Sequence, residues 1–182
     1  MKTMMKKKPI ESMTKEEARI AICKDVIRHL RSLRVKSSNG YIVDMGCDLP
    51  TGTKLPPATD DAQKHVGKIV KRCEVCALGG MMFSFIRLFD DVPMKKMMHW
   101  DAINCGREYI ASKLHRYFTP DQLYQIERAF EHGNGLKDKF NSYGYDGEEE
   151  NDKNRLRAIM LNVVRNGGKF VPYVPPGEGA FA

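Results

Sequence analysis

Cys73 and Cys76 are the residues whose type and spacing most directly suggest chemistry, because a Cys-x-x-Cys pair can hold zinc when two further ligands converge on it. The other cysteines and the five histidines provide no second close pair. Cysteine is also among the residue types most often buried in protein cores. We therefore expect two packed thiols and no cofactor, with a structural zinc protein or an enzyme built on this pair as an alternative.

Lysines and arginines are concentrated near the start of the chain. The sequence has 30 Lys+Arg and 23 Asp+Glu, a net charge of +7, and residues 1–36 account for all of this excess. A basic arm and helix face can contact phosphates, which gives a salt-dependent affinity with little sequence discrimination. A nucleic-acid-binding module is therefore the first alternative, ahead of the zinc one, although a solvated helix face explains the same charges. The residues that would form this module's phosphate contacts are Lys6, Lys7, Lys8, Lys24, Arg28 and Arg31.

Common catalytic motifs are absent from the sequence. Neither the His-Glu-x-x-His of zinc proteases nor the Gly-x-Ser-x-Gly of serine hydrolases occurs. The segment Arg165–Lys169 (Arg-Asn-Gly-Gly-Lys) resembles a phosphate-binding turn in composition only, since it lacks the P-loop frame. We interpret this segment as the end of a helix with cationic residues beside it. The sequence thus favours a non-enzymatic protein.

The sequence offers no segment suited to membrane insertion or export. Its longest apolar run, Val75–Ile86, has twelve residues, whereas a membrane-spanning helix needs about twenty. The basic start has no apolar region behind it, unlike a secretory signal. An odd number of cysteines, five, fits reduced thiols better than a disulfide framework. We expect a soluble cytoplasmic protein with no membrane partner.

Two strong helix-start signals help to position the helices. Thr14 and Glu17 have the spacing of a capping box, which predicts a first helix running to about Arg34. The segment Thr119–Gln122 (Thr-Pro-Asp-Gln) combines a capping threonine with a proline at the first helical position. The helix that follows it should end at Gly133, because glycine tolerates the left-handed conformation common at helix ends.

The remaining helices follow from apolar periodicity. Residues from about 68 to 89 are apolar around most of a helical circumference, which predicts a buried central helix. Further helices are expected over about 101–117 and from about 151 to Gly167. A turn signal predicts at most a minor β-hairpin near 35–46. The predicted fold class is therefore mainly α, with about five helices packed around the central one.

The domain organisation follows from these elements. We expect residues 1–13 to form a mobile basic arm and residues 14–172 to form a single helical domain. Prolines keep the chain extended after Phe170, and residues 173–182 are expected to be a loose C-terminal tail.

Several segments, taken in order, show a family resemblance. They are Cys73–Gly79, Tyr117–Leu123, Ile126–Glu131, Arg155–Met160, Asn162–Gly167 and Phe170–Pro172. This order resembles a group of uncharacterised small bacteriophage and bacterial proteins with a Cys-x-x-Cys-Ala-x-Gly core, over about residues 68–172. Gly80 stands where such proteins often have alanine. The resemblance implies a phage-encoded accessory protein.

We expect this protein to capture a host protein or a small anionic, nucleotide-type ligand in the cytosol of a bacterial host. Such a role would be host-modulating or counter-defensive, and a homo-oligomer is compatible with it. An anionic ligand requires several cations that converge on one place. The cations nearest the resembling segments, and therefore the candidate ligand-binding residues, are Arg72, Arg87, Arg165 and Lys169.

Overall fold

The structure, a computed structural model, is mainly helical, as predicted. It describes residues 12–37, 43–44, 62–69, 71, 74–89, 112–136 and 149–174. Within this part of the chain there are five α-helices, and a short 3₁₀ helix, Leu30–Ser32, follows the first. The α-helices are α1 (Lys15–His29), α2 (Ala62–Ile69), α3 (Ala77–Leu88), α4 (Pro120–His132) and α5 (Glu149–Arg165).

The two strong helix-start signals are confirmed. At α1 the Glu17 N–H donates to Thr14 Oγ1 (3.1 Å), and the Thr14 N–H donates to Glu17 Oε2 (2.8 Å), which completes the capping box. At α4 the Gln122 N–H donates to Thr119 Oγ1 (3.3 Å). This helix ends at Gly133, whose φ of 71° is in the left-handed region that favours glycine.

The buried central helix is shorter than predicted. Instead of one helix over about 68–89, the chain forms α2, then strand β3 (Glu74–Val75), and only then α3, which starts at Ala77. The reason is that β3 is held in a sheet, and Cys76 keeps an extended backbone (φ −81°, ψ −173°) before the first helical turn. A backbone paired in this way cannot also make helical hydrogen bonds.

The strands near 35–46 do not form the predicted hairpin. Strand β1 (Arg34–Val35) pairs with β3 in parallel, with Arg34 opposite Glu74. Strand β2 (Val43–Asp44) pairs with β3 in the antiparallel direction. The strand order is β1-β3-β2, so β3 lies between the two strands that we expected to pair directly.

The core is organised around α3, whose residues from Ala77 to Ile86 are all buried. This helix packs against α1, α2 and α4, while α5 packs most extensively on α1 and also on α4. Gly80 faces the tips of Leu33 and Leu156, and a methyl group added there would lie 3.7 Å from each. An alanine at this position would therefore fit by ordinary van der Waals contact.

Some sequence predictions concern residues that the structure does not describe. The predicted helix over about 101–117 is described only from Ser112, where one helical turn is present. Most of the predicted arm (1–13) and of the predicted tail (173–182) also lies outside the described residues. Among the helices that the structure describes, none is long and apolar enough to cross a membrane.

Candidate functional site

Helix α5 separates its charged residues between an inner and an outer face. Inside, Asp152 is buried and accepts the Ser37 N–H (2.7 Å), while Arg155 is buried and donates to the Phe130 carbonyl (2.7 Å). Arg155 also lies 3.8 Å from Asp152, so these two inner charges offset each other. The outer face presents four polar or cationic residues and two apolar ones at helical spacing. They are Asn154, Arg157, Ala158, Leu161, Asn162 and Arg165.

An extended segment after α5, residues 170–173, lies along the outer face of this helix, and we call it the strap. Its anchor is Phe170, which is 2 % exposed and belongs to the core. The Gln122 amide holds the backbone of Phe170 from α4. The Phe170 N–H donates to Gln122 Oε1 (2.8 Å), and Gln122 Nε2 donates to the Phe170 carbonyl (3.3 Å).

The next residues of the strap are held in the same manner. The Val171 N–H donates to Asn162 Oδ1 (2.8 Å), and Asn162 Nδ2 donates to the Val171 carbonyl (2.7 Å). The Tyr173 N–H then donates to the Gly135 carbonyl (2.7 Å). Side-chain amides on α4 and α5 thus form the hydrogen bonds that the backbone of Phe170 and Val171 would otherwise make with a neighbouring strand.

The strap and α5 enclose an open groove of about 650 Å³, which we call the first groove. Its volume falls in the range typical of ligand sites. Among the described residues that line this groove, none carries a carboxylate, whereas two of them, Arg157 and Arg165, are cationic. The lining residues outside α5 are Gly135, Leu136, Asn166, Val171, Pro172 and Tyr173.

Both cations of the first groove are exposed. Within the described part of the chain, neither Arg157 nor Arg165 forms an ion pair with a carboxylate. Their positive charge is therefore available to a bound anion. A guanidinium group is well suited to this task, because its planar set of donors matches the geometry of phosphate and carboxylate oxygens.

A second groove, of about 430 Å³, continues along α5 toward α1. It includes Arg31 from the turn after α1 and Lys153 from α5, together with one acidic residue, Glu150. Asn154 and Arg157 line both grooves. The two grooves are therefore adjacent on α5.

The three candidate ligand-binding cations that the structure describes do not line one common groove. Arg165 lines the first groove, but Arg87 is only 14 % exposed, and its Nε donates to the buried Asp25 carboxylate (2.8 Å). Lys169 is exposed beyond the end of α5 and lines neither groove. Arg72 lies outside the described residues.

Three of the candidate nucleic-acid-binding residues are among those that the structure describes. Lys24 and Arg28 are exposed on α1, and Arg28 Nη1 lies 3.9 Å from the Asp25 carboxylate. Arg31 lines the second groove. The lysines of the predicted arm, Lys6, Lys7 and Lys8, lie outside the described residues.

Cys76 is buried at the start of α3, and Cys73 lies outside the described residues. Burial raises the pKa of the Cys76 thiol to about 12, so it is protonated at neutral pH. Zinc binding and nucleophilic attack both use the thiolate. In the ranges that the structure describes, no group of three His, Cys, Asp or Glu residues is placed to hold a metal ion.

Sequence reasoning found Arg165 but missed Arg157 and the strap contacts. The available signal was the spacing of Arg157, Leu161 and Arg165, which recur every four residues on the face opposite the apolar stripe of α5. Comparison of the chain with protein-family models, with curated proteins and with solved structures found no match. The functional argument therefore rests on the residues of the grooves themselves.

The role of Asn162 in holding the strap gives a first prediction. Asn162→Leu keeps the size of the side chain but removes both bonds to Val171, so we expect the free energy of unfolding to fall by about 1–2 kcal/mol. Urea unfolding measures this loss, and faster hydrogen exchange at Val171 localises it. Asn154→Leu on the same helix face is the control, with an expected change within about 0.5 kcal/mol. Equal losses in the two variants would contradict the assigned role.

Proposed function

We propose that this protein is a non-enzymatic binding protein that captures an anionic, nucleotide-type ligand in the first groove. Its setting in this proposal is a bacterial cytosol, where a phage-encoded protein would remove or retain a host component. The observation that supports it most is the charge of the groove: Arg157 and Arg165 are exposed, and none of the lining residues that the structure describes carries a carboxylate.

The remaining lining residues suit the uncharged parts of a nucleotide. Asn154 offers both a donor and acceptors to a base edge. Tyr173 lines the groove with 38 % of its surface exposed, and an aromatic ring of this kind can stack on a base. Arg157 and Arg165 are eight residues apart, or about 12 Å along the helix. They can therefore contact groups at opposite ends of the ligand.

Calorimetric titration with adenosine monophosphate, cyclic AMP and thymidine monophosphate tests this proposal. We expect at least one of these nucleotides to bind, and Arg157→Ala and Arg165→Ala each to weaken its binding about tenfold, because each removes a charge-assisted hydrogen bond. Lys169→Ala is the matched control, since it removes an exposed cation that lines neither groove.

The control variant distinguishes nucleotide binding in the first groove from a non-specific attraction of the nucleotide to exposed cations. An unchanged affinity in Lys169→Ala together with a tenfold loss in the two arginine variants supports the first groove. Equal losses in all three variants indicate non-specific charge attraction and contradict the proposal. The absence of binding by all three nucleotides at millimolar concentration also contradicts it.

A further inference from the structure

The two grooves lie next to each other on α5, because Asn154 and Arg157 belong to the lining of both, so they can be considered together as one stretch of the surface. We propose that this stretch, which we call the channel, binds a single-stranded oligonucleotide. This inference rests on the proposed function, since it assigns the ligand class of the first groove and extends it into the second. A mononucleotide would occupy only part of the channel.

The length of the channel favours a chain of nucleotides. On α5 the lining residues run from Glu150 to Arg165, a distance of about 22 Å at 1.5 Å per residue. Stacked nucleotides advance by about 3.4 Å each along a strand. About six stacked nucleotides, or fewer extended ones, therefore match the length of the channel.

The charge of the channel is suited to a repeated anion. Of the lining residues that the structure describes, four are cationic, Arg31, Lys153, Arg157 and Arg165, and one is acidic, Glu150. Three of the cations follow one another along α5, and Arg31 approaches from the chain after α1. A row of cations along a groove tracks a phosphate backbone, whereas a single phosphate needs only a compact cluster.

Tyr173 distinguishes a single strand from a duplex. Its partly exposed ring lies in the lining of the channel at the strap end. An aromatic side chain stacks on bases that are unpaired and accessible, while the bases of a duplex are already stacked on one another. A single strand can therefore use both the cations and the ring, and a duplex can use only the cations.

Fluorescence anisotropy with labelled oligothymidylates of one, three, six and ten nucleotides tests the inference on the full chain. We expect the affinity to rise with length up to about six nucleotides and then to level off. The hexamer should bind with a slope of log affinity against log salt near −3, since each contacted phosphate contributes about −0.7. A duplex of the same length should bind at least tenfold more weakly.

Arg31 provides the variant that isolates the second groove. Arg31→Ala should weaken hexamer binding about threefold to tenfold and leave the binding of thymidine monophosphate unchanged, whereas Arg157→Ala should weaken both. Lys68→Ala is the matched control, because Lys68 is an exposed cation on α2 and lines neither groove. Both substitutions are at exposed positions, and circular dichroism confirms that the variants remain folded.

The outcomes distinguish this inference from the proposed function. Mononucleotide binding without any gain from length overturns the oligonucleotide inference and leaves the proposed function standing. Binding of a duplex as tightly as the single strand, or equal losses in Arg31→Ala and Lys68→Ala, also overturns the inference. Failure of every nucleotide and oligonucleotide to bind overturns both.

Discussion

Asp25→Ala is expected to lower the free energy of unfolding by about 3–5 kcal/mol, more than any other single substitution that we propose. The Asp25 side chain is 5 % exposed and accepts a hydrogen bond from Arg87 Nε at 2.8 Å. His29 Nδ1 lies 3.2 Å from the same carboxylate. Alanine removes the acceptor and leaves the guanidinium of Arg87 largely buried without its counter-charge. The large loss of stability comes from this unpaired buried charge.

A double substitution distinguishes the cost of leaving Arg87 unpaired from the net contribution of the Asp25–Arg87 ion pair to stability. Asp25→Leu combined with Arg87→Met removes both charges and fills the space with apolar groups, so we expect a smaller loss of stability than for Asp25→Ala. Urea unfolding of the three proteins measures the difference. A double variant that is at least as unstable as Asp25→Ala would show that the ion pair itself, rather than the unpaired arginine, stabilises the contact between α1 and α3.

Local signals explain why much of the helical fold could be predicted. The capping residues Thr14 and Thr119 bond to backbone groups three residues away, so their chemistry is complete within one helical turn. Gly133 ends α4 in the left-handed conformation for the same kind of local reason. A mainly α fold therefore follows from short segments of the sequence, and the structure confirms it.

Contacts between distant parts of the chain explain where the structure differs from the sequence predictions. Val75 pairs with Val35, forty residues earlier, and this pairing replaces the first part of the predicted central helix. The apolar pattern of residues 68–89 is equally compatible with a buried strand followed by a buried helix. Arg87 was a reasonable candidate for an anion site because its partner, Asp25, is 62 residues away and its position could not be deduced from spacing.

Only part of the candidate site could be predicted, because the rest of it also depends on contacts between distant parts of the chain. Arg165 was a candidate because it is among the cations nearest the resembling segments, but Arg157 looks like any cation on a solvated helix face until the strap is seen beside it. The extended conformation after Phe170 could be predicted from its prolines. Its position could not, because the strap is fixed by Asn162 and Gln122, whose amides could equally have faced water.

Gly135→Ala is expected to displace the strap and open the first groove. Gly135 has a φ of 71°, where an alanine costs about 1–2 kcal/mol. The new methyl group would also lie only 2.7 Å from Pro172 Cβ, which forces the strap to move. That movement breaks the bond from the Tyr173 N–H to the Gly135 carbonyl, at a further cost of about 1 kcal/mol. We expect a total loss of stability of about 2–3 kcal/mol and weaker nucleotide binding.

Gly167→Ala is the matched control, because it isolates the conformational part of this effect. Gly167 has a similar φ of 62°, but no atom lies within 4 Å of the added methyl group, so only the backbone cost of about 1–2 kcal/mol applies. Thermal unfolding and titration with thymidine monophosphate compare the two variants. If the strap forms a wall of the binding site, Gly135→Ala loses affinity while Gly167→Ala retains it. Equal affinities would place the bound nucleotide away from the strap, because the two substitutions differ chiefly in their contact with Pro172.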